Sequence, residues 1–219
     1  MIKCDDIESA LAQAGFIVLG GFTPTADDLA PENTATLFLI GSAGASMWQH
    51  FSSECDPYTD GLDVWTRAKL EPSAEKLRAK AVFPFDTPPL PFQRWARKAG
   101  AGFTSPLGLN VHPRYGLWSA YRAALCFSEK IELPLIDATA SPCETCTEKP
   151  CLTTCPVSAF DGQTYNVPAC TSHLATPQGQ DCMMGGCLAR RACPVGQEFI
   201  TPSEQTRFHM RAFFHVRKS

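Results

Sequence analysis

Eight of the 11 cysteines fall between Ser141 and Gly196, and no other stretch restricts the fold as tightly. They are Cys143, Cys146, Cys151, Cys155, Cys170, Cys182, Cys187 and Cys193. Two runs carry most of them, C-E-T-C-T-E-K-P-C-L-T-T-C-P and C-M-M-G-G-C-L-A-R-R-A-C-P, with Cys170 between. Each run ends in Cys-Pro. A disulfide framework is not expected, since no charged-then-apolar export segment opens the chain and the cysteine total is odd. Two structural Cys4 zinc sites fit the count but explain neither the Cys-Pro pairs nor the third cysteine inside each run. Buried free thiols account for Cys4, Cys55 and Cys126, which stand alone, but not for the cluster of eight.

The spacing is similar to that of a bacterial two-cluster ferredoxin. There, three close cysteines hold one iron–sulfur cube, and a fourth, followed by proline, crosses to the other. Two [4Fe–4S] clusters need eight thiolates, and eight are present. Zinc remains the alternative to exclude by metal analysis. Thiols in a chain without an export signal point to the reducing cytoplasm.

The remaining composition sets outer limits. At 219 residues the chain can hold one substantial domain plus a small one. No apolar run approaches the roughly 18 residues of a membrane span. A net charge of −3 argues against a protein that coats nucleic acid through its phosphates.

Along the chain, Asp5-Asp6 can cap a helix over Ile7–Ala14 that Gly15 terminates. Phe16–Leu19 reads as a short buried strand broken by Gly20-Gly21, and Asp27–Asn33 as a polar connection. Thr36–Ile40 is the next buried strand, turned by Gly41–Gly44 into a helix over Ala45–Phe51. A strand, glycine turn and helix can bind phosphate, but without G-x-G-x-x-G or a P-loop the expectation is a tight turn. Leu62–Leu70 and Ser73–Lys80 have helical spacing interrupted near Pro72. Ala81–Phe85 is extended, Phe92–Ala99 helical up to Gly100, and Leu107–Val111 and Leu117–Phe127 further strands. This alternation predicts an α/β layer, with antiparallel neighbours at its end. Glu132–Thr139 links it to the cysteine module.

Asp86–Gly102 (D-T-P-P-L-P-F-Q-R-W-A-R-K-A-G-A-G) and His112–Arg122 (H-P-R-Y-G-L-W-S-A-Y-R) resemble the catalytic domain of the epoxyqueuosine reductase family. The same domain recurs in corrinoid reductive dehalogenases and in the cobalamin-processing protein that removes upper ligands from cobalamin. Cys170-Thr171-Ser172-His173-Leu174 looks like the reductases' Cys-x-Ser-x-Leu segment. The resemblance covers roughly residues 80–195. It implies cobalamin held between an α/β domain and a two-cluster module that feeds it electrons. On that pattern Cys143, Cys146, Cys151 and Cys193 bind one cluster, and Cys155, Cys170, Cys182 and Cys187 the other.

The resemblance also implies the remaining site residues. Asp86 matches the reductases' proposed proton donor; burial among Phe83, Phe85, Pro88, Pro89 and Leu90 would raise its pKa, and the alternative is a turn cap or a pair with Arg94. Asn110, His112, Trp118, Ser172 and Met183 are expected to contact the corrin, His112 as a corner or wall rather than a cobalt ligand. Ser172 has a helix cap as its alternative. Arg122 coincides with an arginine near the processing protein's thiol co-substrate, with a salt bridge as the alternative. The chain departs from the family in its cysteine gaps, C-x4-C-x5-C in the second run against C-x2-C-x3-C, and in four residues rather than two in the middle gap of the first.

The expected fold is α+β: a nitroreductase-like cobalamin-binding α/β domain over 1–138, a bacterial-type two-cluster ferredoxin module over 139–200, and a tail over 201–219. The tail is expected to pack back as a helix or strand. The expected function is an iron–sulfur oxidoreductase passing electrons through two [4Fe–4S] clusters to a bound corrinoid. It would reduce the corrinoid, or a small substrate through it. Its partner would be a flavodoxin- or ferredoxin-type donor, in the cytoplasm and without a membrane; with no helical-repeat tail after residue 219 like the one the reductases use for tRNA, and with the acidic balance, tRNA is not the expected substrate. The alternative is a ferredoxin-type carrier without a corrinoid or substrate of its own.

Overall fold

The computed structural model describes residues 2–57, 59–133 and 140–218. The chain divides into two compact units, one of residues 1–103 and 119–139, the other of 104–118 and 140–219. Most of the connection expected over Glu132–Thr139 lies outside the described residues.

In chain order the first unit contains α1 (Cys4–Ala12), β1 (Ile17–Phe22), β2 (Thr36–Ala43), α2 (Ser46–Glu54), α3 (Leu62–Lys76), β3 (Lys80–Val82) and α4 (Phe92–Lys98). Two-residue strands β4 (Phe103–Thr104) and β5 (Asn110–Val111) follow, then β6 (Ser119–Phe127), which returns to the first unit. The main sheet has the order β1-β2-β6-β3, and every pairing in it is antiparallel. The expected α/β layer is therefore a mixed fold whose helices pack on an antiparallel sheet. Local periodicity reports each element but not its nonlocal partner, so strand direction was not readable.

Four local expectations fail for identifiable reasons. Strand β1 continues through Gly20-Gly21, because pairing with Leu39 and Phe38 of β2 outweighs glycine's poor strand preference. Strand β2 runs on through Gly41 rather than turning there. A Cβ on Gly41 would stand 2.2 Å from Ala120 O and 2.4 Å from Leu19 Cδ1, so this glycine permits close approach of β6. Helix α3 passes through Pro72 as one piece. Proline removes one hydrogen bond there, yet Leu70 and Ala74 on either side keep the buried face continuous. Asp28, expected in a polar connection, is fully buried.

The core of this unit is aromatic. Trp65 of α3 lies 5.6 Å from Phe16 and 5.5 Å from Phe51 between ring centroids. Phe16 and Phe51 are almost wholly buried, and truncating such a ring to alanine costs about 3–5 kcal/mol. Trp95 of α4 is buried and donates from Nε1 to Asp28 O at 2.8 Å. Arg122 on β6 has its guanidinium 3.9 Å from Asp63, the salt-bridge alternative, and burial lowers its pKa.

The second unit is built from short helices: α5 (Pro142–Thr145), α6 (Pro150–Thr153), α7 (Val167–Leu174), α8 (Gln180–Gly185), α9 (Leu188–Arg191) and α10 (Ser203–Lys218). Proline stands in the first turn of α5, α6 and α7, where its missing N–H removes no helical bond. Ser141 Oγ accepts from Cys143 N at 3.3 Å and Asn166 Oδ1 from Ala169 N at 3.0 Å, capping α5 and α7. Helix α10 packs on α7 and α8 within this unit.

Candidate functional site

All 11 cysteines are free thiols, which removes the disulfide framework. The eight of the cysteine-rich segment sort into two sets around two hollows in the second unit. Cys143, Cys146, Cys151 and Cys193 line one, of about 410 Å³ including its open mouth. Cys155, Cys170, Cys182 and Cys187 line the other, of about 330 Å³. Each Cys-Pro cysteine thus leaves the run that precedes it and joins the other set. The exchange follows from helix placement: α6 packs on α9, which stands Cys151 and Cys193 together, while Cys155 continues past α6 toward α7 and α8.

Apolar walls surround both sets. Pro106, Leu107, Val111 and Leu117 face the first hollow, and Gly116 closes the turn between Val111 and Leu117. Gly116 has φ +56, and a Cβ there would meet Val195 O at 1.9 Å, so only glycine fits. Phe160, Leu174, Leu188 and Met210 face the second hollow. Among the described residues, no three His, Cys, Asp or Glu side chains converge as tightly as a single metal ion requires.

The sulfurs have donors waiting. Ala159 N donates to Cys155 Sγ at 3.4 Å. The backbone N–H groups of Arg190 and Ala189 favour the charged form of the Cys187 thiol, and the Tyr165 hydroxyl that of Cys170. Burial pushes the thiols of Cys143, Cys151, Cys170 and Cys187 up, so thiolates there require a cation beside them, which a bound metal provides. Burial, and then the bond to Cys170, raise Tyr165 well above the usual phenol range. Its ring stacks on Phe160 at 4.5 Å and faces Phe213 of α10 at 6.2 Å.

The other expected site residues fall in both units. Asp86, in the first, holds the turn after β3: Oδ2 accepts from Phe83 N at 2.7 Å, and Oδ1 pairs with Arg67 Nη2 at 2.5 Å. Its partner is Arg67, not Arg94, which donates instead to Asp27 O at 2.7 Å. The expected apolar surroundings are thus interrupted by a guanidinium, itself 4.2 Å above the Phe83 ring centroid.

In the second unit, Asn110 is half-buried on β5. His112 is buried, and its Nδ1 accepts from Arg114 N at 3.1 Å and Tyr115 N at 3.3 Å, so the imidazole holds a corner. Trp118 is buried under the Arg190 guanidinium, 4.4 Å from its ring centroid. Ser172 is exposed on α7, with Asn166 rather than Ser172 capping that helix, and Met183 is half-buried on α8.

Sequence reasoning overlooked Tyr165, Arg67 and His173. His173 lines the second hollow, and its Nε2 is buried without a hydrogen-bond partner. Its place three residues after Cys170 on a helix was a signal that both side chains share a face.

No known protein family and no curated protein matches the sequence. Solved structures do. Epoxyqueuosine reductase from Streptococcus thermophilus matches with a TM-score of 0.54 at 19% identity, over 90% of this chain and 67% of that one. An epoxyqueuosine reductase holding an epoxyqueuosine-modified tRNA-Tyr stem loop matches with a TM-score of 0.51 at 17% identity, over 92% and 69%. A B12-trafficking protein of C. elegans gives 0.47 at 18% identity, over 95% and 94%. The described residues include no helix long and apolar enough to cross a membrane. By these likenesses the chain has the mixed α/β fold seen in the epoxyqueuosine reductases.

Proposed function

We propose that this protein is an iron–sulfur oxidoreductase, with two [4Fe–4S] clusters delivering electrons to a corrinoid or to a small substrate reduced through it. The observation that carries the proposal is the sorting of eight cysteines into two hollows of four, with each Cys-Pro cysteine in the opposite set. Zinc is the weaker reading, because two Cys4 sites explain neither the Cys-Pro pairs nor the third cysteine inside each run.

The residues divide the work. Cys143, Cys146, Cys151 and Cys193 hold one cluster; Cys155, Cys170, Cys182 and Cys187 hold the other. Donors from Ala159, Ala189, Arg190 and Tyr165 steady the sulfur charge. The apolar walls exclude water, which bears on cluster potential and durability. When bound, the clusters supply one-electron transfer and the corrinoid a reducible cobalt. Asn110, His112, Trp118, Ser172 and Met183 are proposed corrin contacts.

Asp86 is the proposed proton donor. To donate, it must carry a proton on an oxygen that Arg67 or Phe83 N–H now engages. Release of Arg67 would free Oδ1 for that role. The same engagement favours the second reading, a carrier in which Asp86 only holds a turn.

The expectation against tRNA does not stand. It was drawn from the reductases' helical-repeat tail together with the acidic balance, and an epoxyqueuosine reductase of the same fold holds a tRNA stem loop. Local basic surface, not overall charge, decides such binding. The electron donor is proposed as flavodoxin- or ferredoxin-like.

Anaerobic reconstitution with iron and sulfide, followed by titration with cobalamin, tests the proposal. Iron with retained corrinoid supports it. Iron without corrinoid at micromolar concentration supports the carrier instead.

A further inference from the structure

His173 is the polar member of an otherwise apolar, sulfur-bearing wall. It stands one helical turn after Cys170 on α7, and the rest of the second hollow is cysteine sulfur and apolar side chains such as Phe160, Leu174, Leu188 and Met210. Its Nε2 is buried there without a partner. A buried ring nitrogen without a partner is costly, and neighbouring apolar groups cannot satisfy it. A sulfur of a group bound among the four cysteines can.

We propose that His173 is a positioning residue that donates its Nε2–H to a sulfur of the group in the second hollow and raises its reduction potential. The inference rests on the cluster reading above. An N–H aimed at a cluster sulfur stabilises the extra negative charge of the reduced state, so the reduced form gains more than the oxidised form. His173 would thus tune the second cluster, whereas the charged residue lining the first hollow is Lys149. The structure supplies no comparable imidazole among the residues lining the first hollow.

The test is a potentiometric titration of the anaerobically reconstituted full chain, followed by electron paramagnetic resonance, with iron and sulfide measured on every sample. His173→Leu removes the donor and should shift one of the two midpoints to lower potential, leaving the other and the iron content unchanged. His173→Gln keeps an N–H at similar reach and should move that midpoint back toward the wild type. His173→Phe keeps a planar ring and gives the same comparison if leucine disturbs assembly. Full iron content with both midpoints unmoved in His173→Leu and His173→Phe overturns this inference alone. A wild-type chain that takes up no iron overturns the cluster reading and this inference with it.

Discussion

Arg67 Nη2 lies 2.5 Å from Asp86 Oδ1, and the same guanidinium covers the stacked rings of Phe83 and Phe85. This one side chain ties α3 to the turn after β3. Arg67→Met should cost about 1–2 kcal/mol in denaturant unfolding, since the partly solvated pair and the ring contact each contribute up to about 1 kcal/mol. Asp86→Asn separates the two roles of the carboxylate. A proton donor lost there should lower reductive turnover by about 100-fold or more while dithionite still reduces the clusters. Unchanged turnover assigns Asp86 to the turn.

Asp28 is fully buried yet charged in its surroundings. Oδ2 accepts from Thr25 N at 2.7 Å and from Lys98 Nζ at 2.8 Å. Burial alone would raise its pKa, but Lys98 and Thr25 outweigh it and hold the carboxyl below its ordinary value. A depressed folded pKa stabilises the protein above the unfolded value, about 3.9, and that stability is lost as pH falls through the folded value. Unfolding midpoints of wild type and Asp28→Asn, measured from pH 7 to pH 3, should therefore converge at the acidic end, with the wild type more stable at neutral pH. Parallel curves across the range would contradict this assignment.

Gly116 carries the turn that walls the first hollow. Gly116→Ala places a Cβ against Val195 O and forces a side chain into left-handed backbone, a combined cost of about 2–4 kcal/mol. Chemical denaturation should show this loss, and iron retention should fall at the first cluster only.

Helix α10 closes the second hollow with Met210 and stacks Phe213 near Tyr165. Removing residues 203–219 opens that wall. The second cluster should then bleach in air roughly several-fold faster, while the first bleaches at its original rate. Equal rates for both would show that α10 does not shield the hollow.

The grouping of the cysteines was expected from the resemblance, in keeping with the two Cys-Pro pairs, and the same two groups of four line the two hollows. Helix α4 was legible from its spacing and from Gly100 at its end. The sheet order was not, because the pairing of β2 with β6 joins residues as far apart as Thr36 and Phe127 and leaves no local trace. Pro72 and Gly41 misled for one shared reason: each is a poor local choice that tertiary packing overrides. The burial of Asp28 required knowing that Lys98 arrives from α4. His173 was within a quoted motif, but its unpaired nitrogen is a property of the packed wall around it.

The central claim is that two iron–sulfur clusters occupy the two four-cysteine hollows. Its most direct measurement is iron, zinc and acid-labile sulfide in protein purified without oxygen. Two cubes of four predict a brown protein, bleached by dithionite, with about eight iron and eight sulfide per chain. A colourless protein holding zinc and no labile sulfide would contradict it.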